Sequence, residues 1–478
     1  MSETLKSGWT GKPSGMPGKG ALVGDLEWDG LHRPRIYYAV ITTFCGLFLS
    51  VLDGTICNVA LPTIALRLDI SPSDSIWIVN AFQLVIMMLL LPFSSLGELY
   101  GYKKVYLYGV LVFTAGSLCC ALSHTFHVLV ASRVLQGIGA AMIMSVNTSL
   151  IKIIYPKRYL GKGVGLNATV VAIASVTGPS LAAAILSVTT WEWLFAINVP
   201  IGIVTWFMGR KFLPDNPTKV IGRHFNWADT VLNAAVFGLM IGCIEAYSHG
   251  LDWHMILVAV AVFFLVGTVY VRTQLRREFP MLPFDLLRIP MFSMSVGTSI
   301  LSFTVQQLLM VSLPFMLMHN YGYDAVGTGL IMTASPVAIM FVAPLSGWMI
   351  GKVHPGVLGG VGISLMCVAC MLLAFMPQDI SHFGFVWRVM LFGVGFGLFQ
   401  SPNNHILLSS APPHRTGSAG GMLASARLIG QTSGAALVAM MFNFFDSSAP
   451  HKALLLGGIL ALCGTCLSSL RLKVRKIN

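Results

Sequence analysis

The sequence predicts an all-α membrane protein of fourteen transmembrane helices: two six-helix bundles, spans 1–6 and 9–14, plus two extra central spans, with the N and C termini cytoplasmic. Three observations predict it. First, the 478 residues are 55% hydrophobic and only 10% charged, with a mean hydropathy of +0.77, whereas a soluble domain carries about 25% charged residues. Second, fourteen stretches reach the roughly 20 mostly apolar residues that a bilayer crossing needs. Third, the end of the chain repeats the pattern of its beginning.

The spans are expected at 36–60, 75–97, 104–123, 127–151, 164–188, 194–212, 229–248, 254–272, 292–318, 325–350, 356–376, 382–401, 417–442 and 452–472. They divide the chain into a disordered cytosolic tail (1–35) without a signal peptide, a first bundle (36–212), a linker with two additional spans (213–291), a second bundle (292–472) and a short cytosolic tail (473–478). With the N-terminus in the cytosol, 25 of the 30 Lys and Arg residues fall on cytosolic segments, two (Arg67 and Lys452) on outer loops, and three (Arg133, Arg388 and Arg427) inside spans. Such a bias orients the helices. It also accounts for the net charge of +12 without nucleic acid as a partner.

The repeat is carried by span 4, with Arg133, Gly137 and Gly139, and span 12, with Arg388, Gly393 and Gly395; each is followed by a basic cytosolic loop and a Gly-rich span. Spans 1–6 therefore correspond to spans 9–14, a parallel repeat of the kind that surrounds a central cavity. Short loops leave no room for an inserted catalytic domain, and no catalytic Ser/His or His/Asp cluster stands at either face. The Cys367/Cys370 and Cys463/Cys466 pairs lie inside apolar helices and suit packing better than metal or redox chemistry. No catalytic residue, metal site or cofactor is expected.

The chemistry is expected at the few ionisable groups inside spans. Asp53 costs about 2.5–3.5 kcal/mol at the centre of a membrane helix, so such a group is a functional-site hypothesis by default. Arg133 cannot lose its proton and must face a partner or water. Glu245 near the outer end of span 7 is either interfacial or a second proton site. Asn58, Trp77, Asn80, Gln83, Gln136, Gln306, Gln307 and Gln400 are candidates to line the cavity, each with an interhelical hydrogen bond as the alternative. Methionines such as Met87, Met88, Met142 and Met144 face core, lipid or a soft cavity wall. Glu98, Gly101, Lys103 and Lys104, between spans 2 and 3, form a charge cluster at a tight turn, able to latch the bundles at the cytosolic mouth. Gly165, Gly178 and Pro179 make span 5 a kinked, closely packed seam. The Trp191–Gly202 stretch fits an interfacial aromatic belt.

Together these motifs resemble the major facilitator superfamily, and within it the fourteen-span drug:proton antiporter branch. The D-x-T-x-x-N-x-A-L-P pattern of the branch is met by Asp53, Thr55, Asn58, Ala60, Leu61 and Pro62; the R-x-x-Q-G-x-G pattern begins at Arg133; the antiporter motif is met at Gly165, Gly178 and Pro179; and W-x-W-x-F-x-I-N-x-P-x-G begins at Trp191. The chain departs from the family at Ser94, Glu98-Leu99 and Tyr102 in the loop after span 2, and at Ala174, Ala182 and Ala183 where the family has glycine. The resemblance implies the major facilitator fold. It also implies a proton-coupled exporter in a bacterial cytoplasmic membrane, with Asp53 binding the proton and either attracting a cationic amphiphile directly or meeting only the proton. Its partners are then protons, an amphiphilic small molecule and the bilayer, with a monomer as the functional unit and a periplasmic adaptor left open. An exporter of one metabolite or siderophore, or a non-transporting sensor, are the alternatives.

Overall fold

The computed structural model describes residues 30–216, 225–248, 252–277, 280–350, 352–377, 379–412 and 415–471; both expected tails lie almost wholly outside them. Among the described residues, fourteen helices are long and apolar enough to cross a membrane: span 1 Arg35–Leu68, span 2 Pro72–Tyr100, span 3 Tyr102–Ala121, span 4 Phe126–Ile154, span 5 Gly165–Val188, span 6 Trp193–Phe212, span 7 Trp227–Ile244, span 8 Trp253–Arg276, span 9 Pro290–Asn320, span 10 Ala325–Met349, span 11 Pro355–Ala374, span 12 His382–Ser410, span 13 Ser418–Phe445 and span 14 Ala449–Leu470. Most expected boundaries fall within a few residues of these. Spans 1, 4 and 12 run longer, their helices continuing through residues 61–68, 152–154 and 402–410.

The sequence repeat is a packing repeat. The neighbours 1–5, 1–6, 2–4, 3–4 and 3–6 recur as 9–13, 9–14, 10–12, 11–12 and 11–14. Between the halves span 5 meets span 10 and span 13 meets span 2, two pairs that the same relation exchanges. Glycine sets these distances where helices touch. A Cβ on Gly139 would stand 2.2 Å from the Phe113 backbone nitrogen, and one on Gly393 2.3 Å from the Ser335 carbonyl, so larger residues would push helices apart.

The halves meet on the outer side. One buried apolar cluster joins Leu52, Ile56 and Leu61 of span 1 to Val311, Leu313 and Phe315 of span 9 and Ile331 of span 10. Ser73 at the outer start of span 2 donates to the Ala439 carbonyl of span 13 at 3.1 Å. The Ser180 and Thr333 hydroxyls of spans 5 and 10 are 2.8 Å apart, and Gly329 lets span 10 approach the Pro179 carbonyl.

Spans 7 and 8 pair with each other, and span 7 leans on spans 2 and 13. The contact has a specific cause. Pro92 in span 2 has no N–H to give the carbonyl one turn back, at Met88. The buried Asn233 of span 7 donates its Nδ2 to that carbonyl at 2.7 Å, and Tyr270 of span 8 donates to Asn233 Oδ1 at 2.7 Å. At the cytosolic end of the hairpin, Arg277 meets Asp229 at 3.1 Å.

Candidate functional site

The site has two parts, a central cavity and a charged network behind its wall. Asp53 is 1% exposed and Arg133 and Gln136 are fully buried. Arg133 and Gln136 lie one turn apart on span 4, hence on one helix face, and both turn toward span 1. An Arg133 terminal nitrogen bonds Asp53 Oδ2 directly. Asp53 Oδ1 accepts Gln136 Nε2 at 2.8 Å and Asn198 Nδ2 at 3.0 Å. The same guanidinium reaches Gln136 Oε1 at 2.6 Å and the Ile78 carbonyl at 2.9 Å. Gln136 also donates to Ser117 Oγ at 2.8 Å. The guanidinium lies 4.2 Å from the Phe82 ring centroid and 5.5 Å from that of Phe195. A carboxylate with charge-assisted bonds on both oxygens thus joins spans 1, 4 and 6, and span 4 carries the contact on to spans 2 and 3.

The Asn198 contact changes the meaning of the Trp191–Gly202 stretch. An aromatic belt is expected there, yet Trp191 is 4% exposed and Phe195 buried, while Asn198 grips Asp53. Only Trp193, 56% exposed, suits an interfacial belt.

The cavity, about 740 Å³, lies between the halves and extends from Asn58 in span 1 and Met332 in span 10 to Gly165 and Gly347 near the cytosolic ends of spans 5 and 10. Neither glycine has a side chain or backbone neighbour within 4 Å of the place a Cβ would take. With the outer ends of the halves in contact, the opening faces the cytosol. Such a volume suits a drug-sized ligand.

Of the expected lining residues, Asn58, Gln83, Gln306, Gln307 and Gln400 stand on the wall. Trp77, Asn80 and Gln136 do not: Trp77 opens the helix of span 2 at its outer end, Asn80 is fully buried beside it, and Gln136 is committed to Asp53. Asp53 itself is absent from the wall, although its neighbours Val51, Gly54 and Thr55 line it. An attraction of Asp53 for a cationic ligand is therefore corrected: its carboxylate points into the first bundle and is already paired. Glu245 lies in the helix that forms span 7; its side chain lies outside the described residues.

Span 5 joins the two parts. A Cβ on Gly178 would meet Thr55 Oγ1 at 2.1 Å, so the span 5 motif and the span 1 motif touch two residues from Asp53. Gly165 and Pro179 face the cavity. At the cytosolic turn, Gly101 has φ +108°, a conformation that favours glycine. Lys103 lies 3.7 Å from Asp215, and Asn216 Oδ1 accepts the Tyr102 N–H at 2.9 Å. These ties run to the segment after span 6, not to the second bundle; Lys104 is exposed.

One further wall residue is not among the expected lining residues. Arg427 of span 13 lines the cavity, and its Nε is buried without a hydrogen-bond partner. Like Asp53 it is an ionisable group inside a span, but spans 9–14 carry no acid to pair with it.

Comparison with known proteins agrees with this architecture. Over 92% of the chain it superposes on a solved POT family transporter with a TM-score of 0.72 at 14% identity, covering 96% of that structure. It is 47% identical over 447 residues to the uncharacterized transporter YebQ of Escherichia coli, covering 94% of this chain and 98% of that protein. It is 29% identical to the riboflavin transporter RibZ of Clostridioides difficile (85% and 88% covered) and 26% identical to the multidrug resistance protein Stp of Mycobacterium tuberculosis (86% and 77% covered). The Major Facilitator Superfamily description matches residues 43–435; the chain belongs to the Major Facilitator Superfamily and is a multi-pass membrane transporter.

Proposed function

We propose that the protein is a proton-coupled exporter of amphiphilic small molecules, working by alternating access in a bacterial cytoplasmic membrane. The observation that carries the proposal is the Asp53–Arg133–Gln136–Asn198 network, sealed behind the wall of a cavity open toward the cytosol. A proton on Asp53 removes the charge that holds span 1 to spans 4 and 6. Thr55, two residues on, bears on Gly178 of span 5, so the change reaches the cavity wall and the span 5–span 10 seam. Loss of the proton restores the ties. At an effective dielectric of about 20, opposite charges 4 Å apart interact by about 4 kcal/mol, and the membrane supplies about 2.3 kcal/mol per charge per 100 mV. One proton per cycle is of the scale needed to switch this pair. The naming of Stp as a multidrug resistance protein supports export, and the mixed apolar and amide wall supports a broad amphiphilic substrate class.

The test is dye transport in everted vesicles under an imposed proton gradient, for the wild type and Asp53→Asn. Wild-type transport is expected to stop when an uncoupler is added, and Asp53→Asn to lose gradient-driven transport while remaining monodisperse. Transport insensitive to the uncoupler would remove proton coupling; an active Asp53→Asn would remove Asp53 from it.

A further inference from the structure

We propose that the cavity is an anion-binding site, with Arg427 holding the acidic group of an amphiphilic organic anion. This rests on the reading of the cavity as the substrate site and gives its charge preference. Among the described residues that line the cavity, Arg427 is the only charged one, and there is no Asp, Glu, Lys or His. Ser418 begins span 13, so Arg427 lies nine residues, about 14 Å, into the helix, too deep to be a simple end-of-helix anchor.

The two other arginines that lie away from span ends, Arg133 and Arg388, each have a partner. Arg133 is paired with Asp53, and Arg388 donates to the Gly384 carbonyl at 2.7 Å and lies 4.4 Å from the Trp387 ring centroid. Arg427 has no hydrogen bond or ion pair among the described residues. A guanidinium is never uncharged in a protein, and an isolated charge in a low-dielectric site is costly. Its missing counter-charge would come from the ligand.

The rest of the wall fits such a ligand. Buried polar atoms of Asn58, Gln83, Gln306 and Gln307 also lack protein partners, and all four residues face the same space. They offer amide donors and acceptors to polar substituents. Phe82, Phe303, Phe396, Met310, Met332 and Met340 offer aromatic and thioether surface to an apolar ring system. A cation would meet no carboxylate and would sit against Arg427.

The experiment uses two xanthene dyes of similar size and opposite charge, fluorescein and rhodamine 6G, titrated at neutral pH onto the purified full-length protein in nanodiscs without any ion gradient. Fluorescence anisotropy is expected to give binding of fluorescein about tenfold tighter than rhodamine 6G. Arg427→Gln should weaken fluorescein about tenfold and leave rhodamine 6G unchanged, while Arg427→Lys should keep most of the fluorescein affinity. Rhodamine 6G binding as tightly as fluorescein to the wild type would overturn the proposal, whether or not the Gln variant folds. So would an Arg427→Gln protein with unaltered fluorescein affinity. Because no gradient is present, failure here is distinct from failure of proton coupling: gradient-driven export of rhodamine 6G with no preference for fluorescein would keep the exporter reading and sink this one.

Discussion

Asp53 and Arg133 are held at a cost that only the pair can offset. Removing one partner of a buried ion pair destabilises by about 3–5 kcal/mol, whereas replacing both by neutral groups can be nearly neutral. Arg133→Ala is therefore expected to lower the melting temperature and the yield of folded protein, and Asp53→Asn/Arg133→Gln to melt closer to the wild type than Arg133→Ala does. Equal melting of Arg133→Ala and wild type, by a thermal assay in detergent, would show that the pair does not hold the first bundle together. Much of this network was legible in the sequence. A charge inside an apolar run identifies itself, and Arg133 and Gln136 at helical spacing must share a face. Asn198 was not legible, because its motif is aromatic and adjoins the interface, where belt and core use the same residue types. Nor was the direction in which Asp53 points. Gly54 and Thr55 reach the cavity while their neighbour Asp53 turns away, a difference of one residue around the helix. Arg427 was visible as a charge, but its solitude is a fact of packing.

The next scale is the helix pair. Gly165 and Gly178 belong to one sequence motif yet stand in opposite environments. Gly165 faces open space, while a Cβ on Gly178 would overlap the Thr55 side chain. Gly165→Ala is expected to assemble normally. Gly178→Ala must separate spans 1 and 5, and should reduce the rate of transport severalfold more than Gly165→Ala does at matched expression. Vesicle transport normalised to protein amount measures both, and equal effects would mean that the span 1–span 5 contact is not critical. The substitution of family glycines by Ala182 and Ala183 leads one to expect looser packing. The structure buries both and compensates from the other side, where Gly329 of span 10 fits against Ala183. The sequence could not announce this, because the compensating residue lies in the other half of the chain. The turn after span 2 shows the same limit. Its charges were evident, but Asp215, which meets Lys103, and Asn216, which accepts the Tyr102 backbone N–H, come from beyond span 6.

For the whole molecule, the repeat was legible as two Arg- and Gly-bearing helices and became a packing rule: five helix pairs and two inter-half contacts recur with a shift of eight spans. The place of spans 7 and 8 was not legible, since their apolar faces carry no motif. Their attachment depends on Asn233, whose amide meets a carbonyl that Pro92 leaves free. Asn233→Leu should destabilise the protein by about 1–3 kcal/mol, the cost of a buried acceptor left unmade. Tyr270→Phe should cost less, since Asn233 would keep its bond to Met88. Thermal unfolding of the two variants in detergent tests the order, and a harmless Asn233→Leu would show that the Met88 carbonyl is satisfied in another way. The hairpin is consequently not a cassette that can be lifted out to leave a working twelve-span protein. Its removal would turn a proline-broken stretch of span 2 toward hydrocarbon, where no solvent can meet the bare carbonyl. A shorter transporter descended from the same plan must either lose that proline or find another donor for it, so a proline in span 2 and a polar residue in the added helix should be gained or lost together.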